Sequence, residues 1–149
     1  MKEKEEVLEA TIDQVKGRIP VYAGTGCIST RDTIYMSKRA EEMGADVLSI
    51  ITPSFALASQ KELYDHYCEV AKLARDVDVI MGAKDSSGDI ENLKAYIRET
   101  RDIGKDFAVL AGNDGNILTC LKEGGAGGIA GRANLYPKTL ASIYNYFVA

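Results

Sequence analysis

Short apolar runs alternate with longer amphipathic stretches along the whole chain. Five runs predict brief strands apolar on both faces: residues 19–24 (IPVYAG), 45–52 (ADVLSIIT), 77–84 (VDVIMGAK), 107–112 (FAVLAG) and 127–131 (GGIAG). Between them the period lengthens to that of a helix. Val7, Leu8, Thr11, Ile12 and Val15 share one face and predict an opening helix with no strand before it. Ser29 or Thr30 can cap the next helix, to which Ile34, Met36, Ala40 and Met43 give apolar positions and which Gly44 can end. Ser59 can cap a third, whose stripe is Leu63, Tyr67, Val70, Ala71 and Ala74. Ile90, Leu93 and Ile97 mark a fourth, and Ile117, Leu118 and Leu121 a short fifth. Pro137 opens a sixth at the position where its missing N–H costs nothing. This alternation predicts β-α units around a parallel sheet. With no linker or composition break, residues 1–149 are expected to form one domain.

Of the 149 residues, 46% are hydrophobic and 27% charged, enough apolar side chains to bury a core. A net charge of -4 lacks the dense positive field that attracts a phosphate backbone, so a nucleic-acid partner is not expected. No apolar run approaches the roughly 18 to 20 residues that cross a bilayer, and the start, MKEKEEVLEA, lacks the apolar centre of a signal peptide. A cytoplasmic protein with no membrane partner is the expectation. Cys27, Cys68 and Cys120 are odd in number and far apart, which predicts reduced thiols; with His66 as the single histidine, neither a zinc site nor any other metal site is expected. An open doubly wound sheet of five strands fits this length, whereas a closed eight-stranded barrel typically needs about 250 residues.

In parallel α/β folds chemistry gathers where strands end. The run at 77–84 closes on Lys84, with Ile80, Gly82 and Lys84 on one face and Val79, Met81 and Ala83 on the other. If the first face points into an apolar interior, desolvation favours the free amine, which can attack a ketone to form a Schiff base, and Gly82 leaves space beside it. The plainer alternative is a solvated lysine, followed by Asp85 or Ser86 as a helix cap. The segments Gly24-Thr25-Gly26 and Asp85-Ser86-Ser87-Gly88 could present N–H groups and hydroxyls to a carboxylate or phosphate, or serve only as turns. Neither completes a phosphate-binding fingerprint. Cys27 follows a strand but has no evident catalytic partner. His66 falls on the polar side of its helix and is expected to be solvated, while Tyr136, Tyr144 and Tyr146 are expected to pack a helix.

The combination of AGTG after the first strand, KRAEEMGADVLSIITPSF, QKELYDHYCEVAK, IMGAKDSSGD and FAVLAGND resembles the dihydrodipicolinate synthase and N-acetylneuraminate lyase family over nearly the whole chain. That resemblance implies a partial (β/α) TIM-barrel-type fold of about five parallel strands and alternating helices. It also implies a lyase or synthase of the class I aldolase kind, which needs no cofactor and joins or releases pyruvate or a similar 2-oxo acid through a lysine Schiff base. Lys84 would be that lysine. Gly112, Asn113 and Asp114 would stand at the substrate end, the segment Ile129 to Asn134 beside the keto acid's carboxylate, and Gly24, Thr25 and Gly26 at the same mouth.

The resemblance also implies gaps. The chain begins at the family's second helix, without the first two strands and their G-T-T-G-E type segment. Between Arg75 and residue 77, where the family has a further β-α unit with a Y-N-x-P type motif, only Asp76 stands. Ser54 and Phe55 replace a T-P-Y type tyrosine, and the family's C-terminal helices are lacking. These gaps predict an impaired or absent aldolase activity and an open sheet that associates, most simply as a homo-oligomer. Two alternatives stay open: a non-catalytic half-barrel module that binds a carboxylate or another chain, and a flavodoxin-like phosphate or nucleotide binder.

Overall fold

The computed structural model describes residues 2–54, 57–73, 81–101 and 107–149, with the side chain of Leu73 outside this set. The expectations for Phe55, Ala74, residues 77–80 and the junction at Arg75 and Asp76 fall outside the described residues. The described chain forms two compact units, Met1–Val79 and Ile80–Ala149.

In the first unit, α1 (Lys2–Val15) precedes β1 (Tyr22–Gly24), α2 (Thr30–Met43), β2 (Val47–Ser49) and α3 (Gln60–Leu73). The strands pair in parallel, Tyr22 with Val47 through Gly24 with Ser49, and Thr25 extends the ladder by donating to the Ser49 carbonyl at 3.1 Å. Ser29 caps α2 by accepting from the Asp32 amide, and Gly44 ends it in the left-handed conformation at φ 93°. Ser59 and Glu62 form a reciprocal capping box at α3, with the Ser59 amide donating to Glu62 at 2.7 Å. Val21, Ala23, Met36, Ala40 and Val70 are buried. Helix α1 exists as expected, but none of its residues is buried and Val7 is exposed. Glu5 accepts from Tyr35 and pairs with Arg39, so part of the bond between α1 and α2 is polar.

The second unit runs β3 (Gly82–Asp85), α4 (Ile90–Thr100), β4 (Ala108–Ala111), α5 (Ile117–Lys122), β5 (Gly127–Gly128) and α6 (Pro137–Val148), with short 3-10 turns at Asp114–Asn116 and Gly131–Asn134. The sheet order is β3-β4-β5, all parallel. Leu93 and Ile97 of α4, Val109 and Ala111 of β4, and Ile117, Cys120 and Leu121 of α5 form its core. Asp89, rather than Asp85 or Ser86, caps α4, accepting from the Glu91 and Asn92 amides. The fold class is thus the partial (β/α) arrangement of short parallel strands and alternating helices expected from the sequence.

Three expectations are corrected. Leu118 is exposed, because on so short a helix only Ile117, Cys120 and Leu121 reach the core. Tyr136, Tyr144 and Tyr146 are also exposed; α6 approaches the core through Leu140 and Ile143 instead. His66 is not solvated: it is 6% exposed, its Nδ1 lies 2.9 Å from the Thr30 hydroxyl, and its Nε2 is buried with no partner among the described residues. The polar-looking side of α3 is covered at that point by the first turn of α2.

Burial pushes the His66 imidazolium below its ordinary range. The unfolded chain therefore takes up this proton first, and stability present above about pH 6.5 is lost as the pH falls toward the lower folded value. Thermal unfolding followed by circular dichroism should give a lower midpoint at about pH 5.5 than at about pH 7.5. In His66→Gln, which has no proton to take up there, the difference between the two midpoints should shrink.

Candidate functional site

In the second unit the alternation of β4 decides which way Lys84 faces. Val109 and Ala111 are buried in the helix-packed core, so Ala108 and Leu110 point to the other face. Register pairs Gly82 with Ala108 and Lys84 with Leu110, and parallel partners share a face. A side chain at Gly128 would strike Ile117 of α5, whereas one at Gly127 would come to 3.9 Å from Leu110. Gly82, Lys84, Ala108, Leu110 and Gly127 therefore line one face of the sheet, opposite α4 and α5. Lys84 is exposed there. Gly82 meets a second demand besides leaving space: a Cβ at this position would collide with the Ala108 carbonyl of the neighbouring strand.

Beyond Lys84 the chain turns sharply. Asp85 accepts from the Ser87 amide at 2.9 Å and from its hydroxyl at 3.0 Å, and the Ser87 hydroxyl accepts from the Asp89 amide at 3.1 Å. Asp85 and Ser87 thus commit their side-chain oxygens within the turn and at the start of α4. Its carbonyl at Asp85 accepts from the Gly112 amide at 2.7 Å. A Cβ at Gly112 would collide with the Ser86 hydroxyl and lie 2.9 Å from that carbonyl, so the two loops touch backbone to backbone.

Past Gly112, Asn113 folds its Oδ1 inward to accept from the Gly115 amide at 2.9 Å. Gly112, Asn113, Asp114, Gly115, Gly131 and Arg132 border an open cleft of about 390 Å³. The Arg132 guanidinium stands 3.5 Å from Asp114, whose carboxylate is 17% exposed while Arg132 is 74% exposed. Ile129, 41% exposed, donates its amide to the Ala111 carbonyl at 2.9 Å. Lys84, Gly112, Asn113, Asp114 and Ile129 thus all sit at the C-terminal ends of adjacent strands in one unit. Arg132 falls within the strand-end segment 129–134, but nothing in its spacing points to Asp114. Its partner lies 18 positions away in another loop, and only the pairing of β4 with β5 brings them together.

In the first unit, Thr25 is 1% exposed and its hydroxyl accepts from Ser37 at 3.0 Å, so this side chain is committed to the interior. Gly24 has open space around it, and Gly26 is pressed against the Ile51 backbone. The Cys27 amide donates to Thr33 at 3.0 Å, and its thiol lies 3.9 Å from the Lys4 amine. Burial raises the Cys120 thiol above its ordinary range, as suits a core residue. Among the described residues there is no cluster of three or more metal-ligating side chains, and no helix is long and apolar enough to cross a membrane.

These features agree with what the chain is similar to. The profile of the Dihydrodipicolinate synthetase family matches residues 1–81 and 69–149, and the chain belongs to that family. Among curated relatives, the 4-hydroxy-tetrahydrodipicolinate synthase of Methanospirillum hungatei is 33% identical over 95% of this chain and 56% of its own. That of Thermodesulfovibrio yellowstonii is 34% identical over 93% of this chain and 55% of its own. The pyruvate complex of YagE, a prophage protein of this family from E. coli K12, superposes with a TM-score of 0.90 at 26% identity, over 98% of this chain and 58% of its own. A chloride-inhibited dihydrodipicolinate synthase from Acinetobacter baumannii, complexed with pyruvate, gives 0.89 at 27% identity, over 99% of this chain and 58% of its own. The chain spans little more than half the length of these relatives. The first alignment covers 166 positions, more than the 149 residues here, so the relative holds stretches with no counterpart in this chain.

Thr25→Val, which keeps the shape and removes the hydroxyl, should destabilise the chain by about 1–3 kcal/mol by leaving Ser37 without its acceptor. Urea unfolding measures this.

Proposed function

We propose that the chain carries the amine of a 2-oxo-acid aldolase or synthase, with Lys84 forming a Schiff base with pyruvate or a close analogue. The observation that carries this reading is the position of Lys84. It stands near the C-terminal end of β3, on the sheet face opposite α4 and α5, with glycine at 82 on one side and the Gly112–Asp114 loop at the end of the next strand. A keto acid bound there would meet an amine and the open ends of two loops. The imine draws electrons from the neighbouring carbon and makes its proton removable near neutral pH. No metal or cofactor is required for that step.

Lys84 is exposed in the single chain, Ile129 beside it is 41% exposed, and Leu110 on the same sheet face is half-buried. A homo-oligomer that covers this face is the assembly this reading calls for, since water exclusion strengthens every polar contact to a bound keto acid. The same exposure favours a second reading, a module that binds a carboxylate without forming a covalent bond. A cytoplasmic location goes with either reading.

Borohydride reduction in the presence of pyruvate should add the mass of the reduced adduct to the peptide bearing Lys84, located by mass spectrometry. Lys84→Arg should reduce the signal to background. No adduct at millimolar pyruvate, with pyruvate still raising the unfolding midpoint in Lys84→Ala, would establish the non-covalent reading instead.

A further inference from the structure

Helix α1 begins with two lysines that meet different neighbours. Lys2 has Glu6 one turn further on and pairs with it at 3.5 Å. Lys4 has Val7 and Leu8 at the matching positions, so its own helix offers it no carboxylate. Its amine reaches instead to the loop after β1, where it donates to the Gly26 carbonyl at 3.3 Å and to the Cys27 sulfur at 3.9 Å.

The sulfur is held in place from the other side. The Cys27 amide donates to the Thr33 hydroxyl at 3.0 Å, and that fully buried hydroxyl donates in turn to the Ser29 carbonyl at 3.0 Å. The thiol donates to the Thr25 carbonyl at 3.5 Å, which leaves its lone pairs for the Lys4 amine. Cys27 is half-buried and Lys4 exposed, so a small oxidant can reach both. The other thiols are placed differently. Cys120 lies in the core, and Lys72, one turn beyond Cys68, gives its amine to Glu69 at 3.1 Å.

A thiol oxidised to a sulfenic acid is normally captured by a second thiol or oxidised further. Beside Cys27 the group in place is an amine from another element, already aimed at the sulfur, and such proximity replaces a bimolecular encounter. We propose that hydrogen peroxide joins Lys4 and Cys27 through one bridging oxygen, as Nζ–O–Sγ, and that this cross-link fastens α1 to the end of β1. Lys84 plays no part in it.

The first peroxide converts the thiol to a sulfenic acid and releases one water. The amine then loses one N–H and the sulfenic acid its O–H, the N–O bond forms, and the second peroxide takes up both hydrogens and leaves as two waters. Sulfur and nitrogen each give up two electrons, and the two peroxides accept all four. Two equivalents of a dithiol reverse the change and return amine, thiol and one water. The consequence is mechanical. No residue of α1 is buried and its tie to α2 through Glu5 is polar, so a covalent bond at its first turn adds a constraint that packing does not supply.

To test this, the reduced full chain is treated with hydrogen peroxide, its free thiols are blocked, and its peptides are mapped by mass spectrometry. The peptides bearing Lys4 and Cys27 should be recovered joined, their summed mass changed by one oxygen gained and two hydrogens lost, and a dithiol should return both to their original masses. Lys4→Arg keeps a donor for the Gly26 carbonyl without the amine, and should leave Cys27 as a sulfinic acid. Cys27→Ser should leave Lys4 unmodified. The oxidised chain should unfold about 5 °C or more above the reduced one, and the amides of α1 should exchange more slowly; Lys4→Arg should show neither change. Cys27 recovered as a sulfinic acid or in a disulfide in the unsubstituted chain, with Lys4 free, overturns the cross-link. A joined pair with unchanged exchange in α1 overturns the fastening.

Discussion

Val109 and Ala111 are buried against α4 and α5, and side chains alternate along a strand, so the residues between and before them must point away from those helices. Parallel register transfers that choice from β4 to β3, where Gly82 and Lys84 follow Ala108 and Leu110. A lysine on the helix side would have put an ammonium into a core of Leu93, Ile97 and Leu121. The direction of this one amine is thus set by the packing of residues that never touch it. A register slip of a single residue would exchange the two faces and bury the charge.

Much of this was legible in the sequence. Ser29, Gly44, Ser59 and Pro137 act where their chemistry predicts, because a cap depends on a few neighbouring atoms and little else. The alternation of runs identified the five strands found among the described residues, although each proved shorter than its apolar run. Apolar runs report what could be buried, whereas ladder length depends on the partner strand. His66 and Tyr146 were read in opposite senses to their environments. A helical stripe identifies the main contact face but is blind to a second helix crossing the far side, as α2 does at His66.

The candidate site divides along the same line. Lys84 could be found from one strand's alternation and from its resemblance to a known family. Gly112 and Asp114 followed from the strand-end rule. The pairing of Asp114 with Arg132, and the commitment of the Thr25 hydroxyl to Ser37, depend on contacts 18 and 12 positions apart, for which spacing gives no cue. Strand-end residues therefore differ in use: the threonine of a glycine-rich loop is interior, and the arginine after β5 borders the cleft.

Gly112 joins the turn after Lys84 to the loop that leads to Asp114, with no space for a side chain between them. Insertion or lengthening at this junction would pull the amine and the cleft out of alignment together. Evolution can thus alter which molecules the cleft admits by changing residues on its rim, while the joint that keeps it aligned with the lysine stays closed to every amino acid larger than the smallest.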